Sequence, residues 1–298
     1  VGEGEQEILR IVSPLEEFPP EALEEIRQER MTVDPDFSLP PCSIEIVVGV
    51  SGPQRLYVVL PTDRQTGMPF SINAPFVQDP ARRGIKEPSI SPTNRWLLER
   101  AGQLAAKSMG EWLAREECDQ SKRAEAYQLL PSHPEKSDES DFCICSVISK
   151  YLEGHPILLT SNGSLVERCF VPPYVFYDIW NPEDIAAFAG SEYDAILSQT
   201  VLPDFRTRLE RWGCIVVHKN KVIVEWFKTH IVPRPVDYDQ ILLLWTYVVE
   251  YLPYRWYPFG SLNILPVEGS ARLFPAETIV RAGDLILGLS AADTGFLS

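Results

Sequence analysis

Residues 55–113 decide the fold, and they read RLYVVLPTDRQTGMPFSINAPFVQDPARRGIKEPSISPTNRWLLERAGQLAAKSMGEWL. Apolar side chains alternate over 55–61, which is the period of a β-strand. A turn around Gly67 follows, and a second short strand is predicted over 70–76. The helical spacing of apolar residues then predicts a helix from about 94 to 118. Its N-terminal cap is Ser91, Thr93 or Asn94, and its apolar face comprises Leu97, Ala101, Leu104, Ala105 and Trp112. The stretch is therefore an α/β unit.

A basic loop joins the second strand to this helix, and it carries Arg82, Arg83 and Lys86. A guanidinium group makes paired hydrogen bonds to phosphate oxygens and stays charged at physiological pH. The loop is therefore a candidate phosphate contact. The alternative, which the charge pattern alone favours, is a solvent-facing loop with ordinary surface charges.

The chain of 298 residues is long enough for two domains, and its net charge is −15. This charge argues against binding to nucleic acid or to an anionic membrane, which repel an acidic protein. The excess of acidic side chains is unevenly distributed. Residues 1–40 carry 3 basic and 11 acidic side chains, whereas residues 41–130 carry 11 basic and 10 acidic ones. The sequence begins with Val1 rather than Met and shows no signal peptide, and no apolar run is long enough to cross a bilayer. We therefore expect a cytoplasmic protein and a piece of a longer polypeptide.

The segments around the central stretch divide the chain into four predicted parts. Residues 1–40 form an acidic lead-in, helical or irregular, with a short helix whose inner face is Leu23, Ile26 and Met31. Residues 41–130 form the α/β domain, in which strands 43–50 and 55–61 make a hairpin through the Ser51–Gln54 turn. Residues 131–141 are rich in Pro, Ser and charge, which is typical of a linker. Residues 142–298 form an α+β region with short strands.

This last region contains two similar segments, 155–173 and 262–281. Each has a short apolar strand, a glycine turn and a second strand, and each follows a helix, so we predict a two-copy repeat. Between the two copies, helices are predicted at 182–189 and near 204–211, and strands at 214–217 and 222–227.

Two further features of this region are candidates for chemistry. Cys143 and Cys145 share one face if they lie on a strand, where they are two small core side chains. Their spacing is not that of a metal or redox motif, although a thiol or metal enzyme remains a third hypothesis. The aromatic run at 245–257 is a ligand platform or, more commonly, core with an interaction surface. No P-loop, GxGxxG or GxSxG motif is present, and no histidine sits in a zinc motif.

The central stretch resembles the middle, or transducer, region of GHKL-type ATPases. It is most similar to the sacsin-like and plant NO VEIN-like relatives of the ninety-kilodalton heat-shock chaperone. The residues that carry the resemblance are Leu60-Pro61-Thr62, Thr66-Gly67-Met68-Pro69-Phe70, Ile72-Asn73-Ala74-Pro75-Phe76, Arg82-Arg83 and Asn94-Arg95-Trp96-Leu97-Leu98. The resemblance covers about 60 residues by motif and is diffuse elsewhere.

This resemblance implies a transducer-like α/β sandwich, similar to a domain of a small-subunit ribosomal protein, followed by an α+β region. It implies that Arg82 or Arg83 contacts the γ-phosphate of ATP, with Lys86, Thr66 and Gly67 as further nucleotide contacts. The nucleotide-binding motifs of the family are missing from this chain. ATP and Mg²⁺ are therefore expected to bind mainly to an upstream nucleotide-binding domain, and this chain is not expected to hydrolyse ATP alone.

The function that follows is a transducer segment of a multidomain, ATP-dependent, chaperone-like protein. Its expected partners are the upstream nucleotide-binding domain and an unidentified protein client, and a dimer is compatible with the resemblance. The alternative is a non-enzymatic protein-interaction module, in which Arg82 and Arg83 are surface residues.

Overall fold

The chain forms two compact units in a computed structural model. The first unit comprises Val1–Ile157 together with Asp204–Cys214, and the second comprises Leu158–Pro203 together with Ile215–Ser298. Both mix helices with short strands, so the predicted α+β class is confirmed. The structure describes residues 8–34, 37–132, 138–189, 195–216, 220–252, 259–267 and 269–278.

The first unit is built on a five-stranded mixed sheet in the order β1-β2-β5-β3-β4. Its strands are β1 (Leu9–Val12), β2 (Glu45–Val48), β3 (Arg55–Val58), β4 (Leu60–Gln65) and β5 (Phe70–Asn73). Neighbouring strands run antiparallel except for β3 and β5, which run parallel. Strand β5, which corresponds to the second strand predicted in the central stretch, therefore lies in the middle of the sheet.

The predicted hairpin between 43–50 and 55–61 is wrong, because β5 lies between those two strands. Ile72 pairs with Ile46 of β2 on one side and with Leu56 of β3 on the other. All three side chains are fully buried. In this central position Phe70 and Ile72 of β5 are both fully buried. The surface buried on both sides of β5 outweighs the shorter hairpin connection.

The helices α1 (Pro20–Glu29), α2 (Pro92–Leu113), α3 (Gln120–Ala124) and α4 (Glu139–Leu152) accompany the sheet. The hydroxyl of Ser91 caps α2 by accepting a hydrogen bond from the Asn94 amide. Helix α2 packs against α1, α4 and the strands β1 and β2. It therefore contacts both the other helices and the sheet of the first unit.

The acidic lead-in contributes both β1 and α1 to the first unit. Ala22 and Ile26 form the buried face of α1, whereas Met31 lies beyond its end and is 89% exposed, so its predicted inner position is wrong. At the other end of the unit, Asp138 caps α4 within the predicted linker 131–141. Residues 133–137 of that segment lie outside the described residues.

The second unit contains α5 (Phe176–Ile179), α6 (Pro182–Ala189), α8 (Asn220–Thr229) and α9 (Tyr238–Tyr251), while α7 (Pro203–Arg211) lies largely in the first unit. Its core packs aromatic side chains from several of these helices, among them Phe176, Trp226 and Phe227.

The two predicted repeat segments each contain a two-stranded antiparallel hairpin. Strand β6 (Leu158–Leu159) pairs with β7 (Leu165–Val166), and β8 (Leu265–Pro266) pairs with β9 (Leu273–Phe274). Gly163 and Gly269 in the connecting turns have φ values of 85° and 75°, which glycine adopts readily. Residues 268 and 279–281 of the second copy lie outside the described residues.

The predicted strands at 214–217 and 222–227 are wrong where the structure describes them. Residues 214–216 form no strand, and residues 222–227 belong to helix α8. Ile223, Val224 and Phe227 are buried on one side of that helix. Burial at this spacing outweighs the strand preference of β-branched residues.

Across the described residues, the helices are too short or too polar to traverse a lipid bilayer.

Candidate functional site

The basic loop, which we call the arginine loop and define as residues 78–86, is a small closed hairpin. Gln78 and Ile85 form an antiparallel bridge. The Asp79 amide donates to the Gly84 carbonyl at 3.1 Å, and the Arg83 amide donates to the Asp79 carboxylate at 3.1 Å. Ile85 is buried and anchors the loop to the unit. The loop therefore presents its basic side chains from a fixed backbone.

Arg82 occupies the tip of the arginine loop, with an exposed side chain and a φ of 56°. This left-handed conformation costs a residue with a Cβ roughly 1 kcal/mol. Within the described part of the chain, the Arg82 guanidinium has neither an ion pair nor a hydrogen bond. Arg82 is thus a strained residue with an uncompensated positive charge.

Arg83 and Lys86 are compensated, unlike Arg82. Arg83 Nε donates to Asp63 Oδ2 at 2.7 Å, and the hydrogen bond and charge of Asp63 raise the pKa of Arg83. The Asp63 amide also donates to the Arg83 carbonyl at 2.7 Å, which ties the loop to β4. Lys86 pairs with Glu29 at the end of α1. Of the three predicted basic contacts, only Arg82 offers its full charge to a ligand.

Thr66 and Gly67, predicted as nucleotide contacts, bind a carboxylate of the protein itself. Thr66 Oγ1 donates to Asp141 Oδ1 at 2.6 Å, and the Gly67 amide donates to Asp141 Oδ2 at 2.8 Å. We call these three residues the carboxylate clasp. A Cβ at position 67 would lie 2.8 Å from Asp141 Oδ2, so a side chain at this position would displace the carboxylate. The clasp holds the turn before β5 against the first turn of α4.

The carboxylate of Asp141 is 5% exposed, and burial raises its pKa, against the opposing effects of the Thr66 and Gly67 hydrogen bonds. The anion-binding geometry of this turn is therefore real, but its occupant is internal. Its role is to attach α4 to the turn before β5.

Sequence reasoning missed Asp141 and the role of Asn94. Asn94 is fully buried, accepts from the Val77 amide and donates to the Val77 and Lys86 carbonyls, which fixes both ends of the arginine loop. The signal for Asn94 was present in the resemblance, whose motif includes it. No local signal connects Asp141 with Thr66, because the two are 75 positions apart.

Cys143 and Cys145 lie on helix α4, so the strand predicted for them is wrong. Cys145 is buried, and burial raises the pKa of its thiol to about 12. Cys143 is half-buried, and burial raises the pKa of its thiol as well. The described residues contain no cluster of three or more side chains suited to metal binding. A thiol this weakly acidic is a poor nucleophile at neutral pH.

The predicted aromatic platform at 245–257 is divided between core and surface. Trp245 is half-buried and donates from its indole to the Ile264 carbonyl, Tyr247 is buried, and Tyr251 is 54% exposed. Residues 253–257 lie outside the described residues.

Comparison with known proteins gave no match to this chain among protein-family models, curated proteins or solved structures.

Proposed function

We propose that this chain is the transducer segment of a multidomain, ATP-dependent, chaperone-like protein, with a transducer-like α/β fold in its first unit. In this proposal Arg82 contacts the γ-phosphate of ATP held by an upstream nucleotide-binding domain. The observation that carries it is the uncompensated, strained Arg82 at the tip of a rigid loop. Strain at an exposed charged residue is a common mark of a functional position.

The contacts of its neighbours assign them different roles within the same proposal. Arg83 orients the loop through Asp63, and Lys86 anchors it through Glu29. Thr66 and Gly67 serve the carboxylate clasp rather than the nucleotide. An arginine placed against a transferring phosphoryl group stabilises the charge that develops there. The charge of an arginine in an ion pair is already partly neutralised, so its effect on the phosphoryl group is weaker.

The test is ATP turnover by the full-length protein, including its nucleotide-binding domain. Arg82→Ala is expected to reduce kcat at least about 10-fold, because arginine contacts to transferring phosphoryl groups are worth more than this in other ATPases and GTPases. Arg82→Lys restores charge without the paired geometry and is expected to recover part of the rate. Arg27→Ala, on the exposed face of α1, is the matched control and leaves turnover unchanged.

A further variant separates strain from charge. Arg82→Gly relieves the left-handed backbone, so its stability is expected to equal or exceed that of Arg82→Ala, while its turnover is equally low. Normal turnover in the Ala and Gly variants would rule out the phosphate contact.

One observation favours the alternative, a protein-interaction module. Val59 forms the tip between β3 and β4, is 86% exposed and has a φ of 64°, which is an outlier for a β-branched residue. Its neighbour Leu60 is 73% exposed. An apolar tip in a strained conformation suits contact with another protein surface.

This alternative is tested with a photoreactive amino acid at position 59 of the full-length protein, with the same group at Arg115 as control. A position-specific adduct with another domain or with a client supports the interaction module. No adduct above the control contradicts it.

A further inference from the structure

The second unit has a groove whose lining is chemically distinct from the arginine loop. It lies between residues 171–175, helix α8 and helix α9, and its volume is about 480 Å³. Val171 and Ile223 form an apolar floor and are 3% and 2% exposed. A groove of this volume is large enough for a small organic molecule.

Three tyrosines form its walls. Tyr247 and Tyr251 lie one turn apart on α9, with ring centroids 5.3 Å apart and planes inclined by 21°. Tyr174 comes from the segment before α5. Tyr174 and Tyr251 are 42% and 54% exposed, whereas Tyr247 is buried. We call this site the tyrosine groove.

The charge of the tyrosine groove selects the sign of its ligand. Glu250 is the charged residue among its described lining, and no lysine or arginine belongs to that lining. The faces of the tyrosine rings carry partial negative charge, which attracts cations. The carboxylate and the ring faces therefore favour a cation over an anion here.

The apolar floor selects among cations. A primary ammonium group is strongly hydrated and would lose water contacts that Val171 and Ile223 cannot replace. A quaternary ammonium group is weakly hydrated, is surrounded by methyl groups, and makes favourable contacts with both apolar and aromatic surfaces.

We propose that the tyrosine groove binds a small trimethylammonium compound, with its methyl groups against the tyrosines and its charge near Glu250. This site lies outside the proposed transducer function and does not depend on it. Tyr174 and Tyr251 determine affinity through their rings, and Glu250 through its charge.

The probe is choline, titrated into the intact chain by isothermal calorimetry. Its neutral isostere, in which carbon replaces the nitrogen, is the ligand control. Saturable binding of choline, at least about fivefold tighter than the isostere, is the expected result, because only the cation gains from the ring faces and the carboxylate. Equal affinity of the two compounds, or no saturable binding of choline, overturns the proposal.

Variants localise the site. Tyr251→Ala and Tyr174→Ala are each expected to weaken choline binding about fivefold or more, Tyr251→Phe retains it, and Glu250→Gln weakens it. Tyr238→Ala is the matched control, because Tyr238 is 66% exposed on the same helix and outside the groove. Since Tyr174 and Tyr251 are partly exposed, their variants are expected to fold, which circular dichroism verifies. Equal losses in Tyr238→Ala and Tyr251→Ala also overturn the proposal.

Discussion

Gly102 is the position at which the packing of the first unit is most directly tested. It is buried on α2, facing α4, and a Cβ there would lie 2.7 Å from the Ile144 carbonyl oxygen and 3.1 Å from Val147 Cβ. The nearest atom belongs to the backbone, so a rotamer change cannot relieve the contact. Reaching an ordinary separation of about 3.4 Å requires the two helices to part by about 0.7 Å.

The magnitude follows from two opposing contributions to Gly102→Ala. Replacing glycine by alanine inside a helix stabilises it by about 1 kcal/mol. Overpacking a close helix contact costs about 1–3 kcal/mol, and shifting α4 also disturbs Asp141 in the carboxylate clasp. The packing cost is expected to prevail, with a net loss of about 1 kcal/mol or more in the free energy of unfolding of the first unit.

Urea unfolding measures this loss, and amide hydrogen exchange in α2 and α4 shows where it occurs. Gly154→Ala is the control, because a Cβ at position 154 would have no atom within 4 Å. It is expected to change stability by less than about 0.5 kcal/mol. A Gly102→Ala protein as stable as the wild type, with unchanged exchange in α4, would refute the close contact between α2 and α4.

Three further predictions concern buried polar groups and the thiol of α4. Burial raises the pKa of Asp141 above its ordinary value of 3.8, so the folded protein favours the protonated carboxyl group. The stability gained in this way is fully present below pH 3.8 and is lost as pH rises through the higher pKa of the folded state. Asp141→Asn abolishes this titration. Urea unfolding at a series of pH values should therefore show that the free energy of unfolding of the variant increases relative to the wild type as pH rises through this range. A stability difference that does not change with pH contradicts the assignment. Trp212→Phe removes the indole hydrogen bond to the Pro131 carbonyl, 2.7 Å long, and is expected to cost about 1 kcal/mol and to speed hydrogen exchange in α7. Cys145, with a thiol pKa of about 12, should react with a thiol reagent at pH near 8 far more slowly in the native protein than in urea, and equal rates would show that it is not buried.

Local patterns in the sequence were sufficient for β5 and α2 of the central stretch. They did not predict the break at Val59, which divides the predicted strand 55–61 between β3 and β4, or the pairing of the strands. Strand β5 and helix α2 follow from alternation, capping and helical spacing. The place of β5 between β2 and β3 depends on which arrangement buries Ile72 best, and that is a property of the assembled sheet. A tight turn at Ser51–Gln54 favoured a hairpin locally, and the sheet did not adopt it.

The errors at 143–145 and 222–227 share one physical cause. Short apolar runs are compatible with either a strand or a helix until the surrounding burial is known. In α4, the buried residues Asp141, Ile144, Cys145 and Ile148 have helical spacing. That spacing was visible in the sequence, although the apolar character of the intervening residues obscured it.

For the candidate site, the sequence located the basic loop but not the state of its charges. Arg82 and Arg83 are adjacent and chemically identical. The position of Asp63 on β4 and the left-handed backbone of Arg82 distinguish them. The partner of Thr66 and Gly67 depends on where α4 packs. Ion pairs between distant segments are set by tertiary structure, so no local pattern specifies them.

The return of residues 204–214 to the first unit affects how the chain is made. Arg208 binds the carbonyls of Gln128 and Leu130, so the end of the 3-10 helix at Glu125–Leu129 is completed by a much later part of the chain. During synthesis the ribosome must deliver Leu158–Pro203, at about 5–20 residues per second, before the first unit has all its parts. For several seconds the nascent first unit therefore lacks the Arg208 hydrogen bonds to the Gln128 and Leu130 carbonyls, and the position of α7 is empty. A chaperone that meets the growing chain has its best opportunity in that interval, and a gene truncated at residue 157 would leave the protein in it permanently.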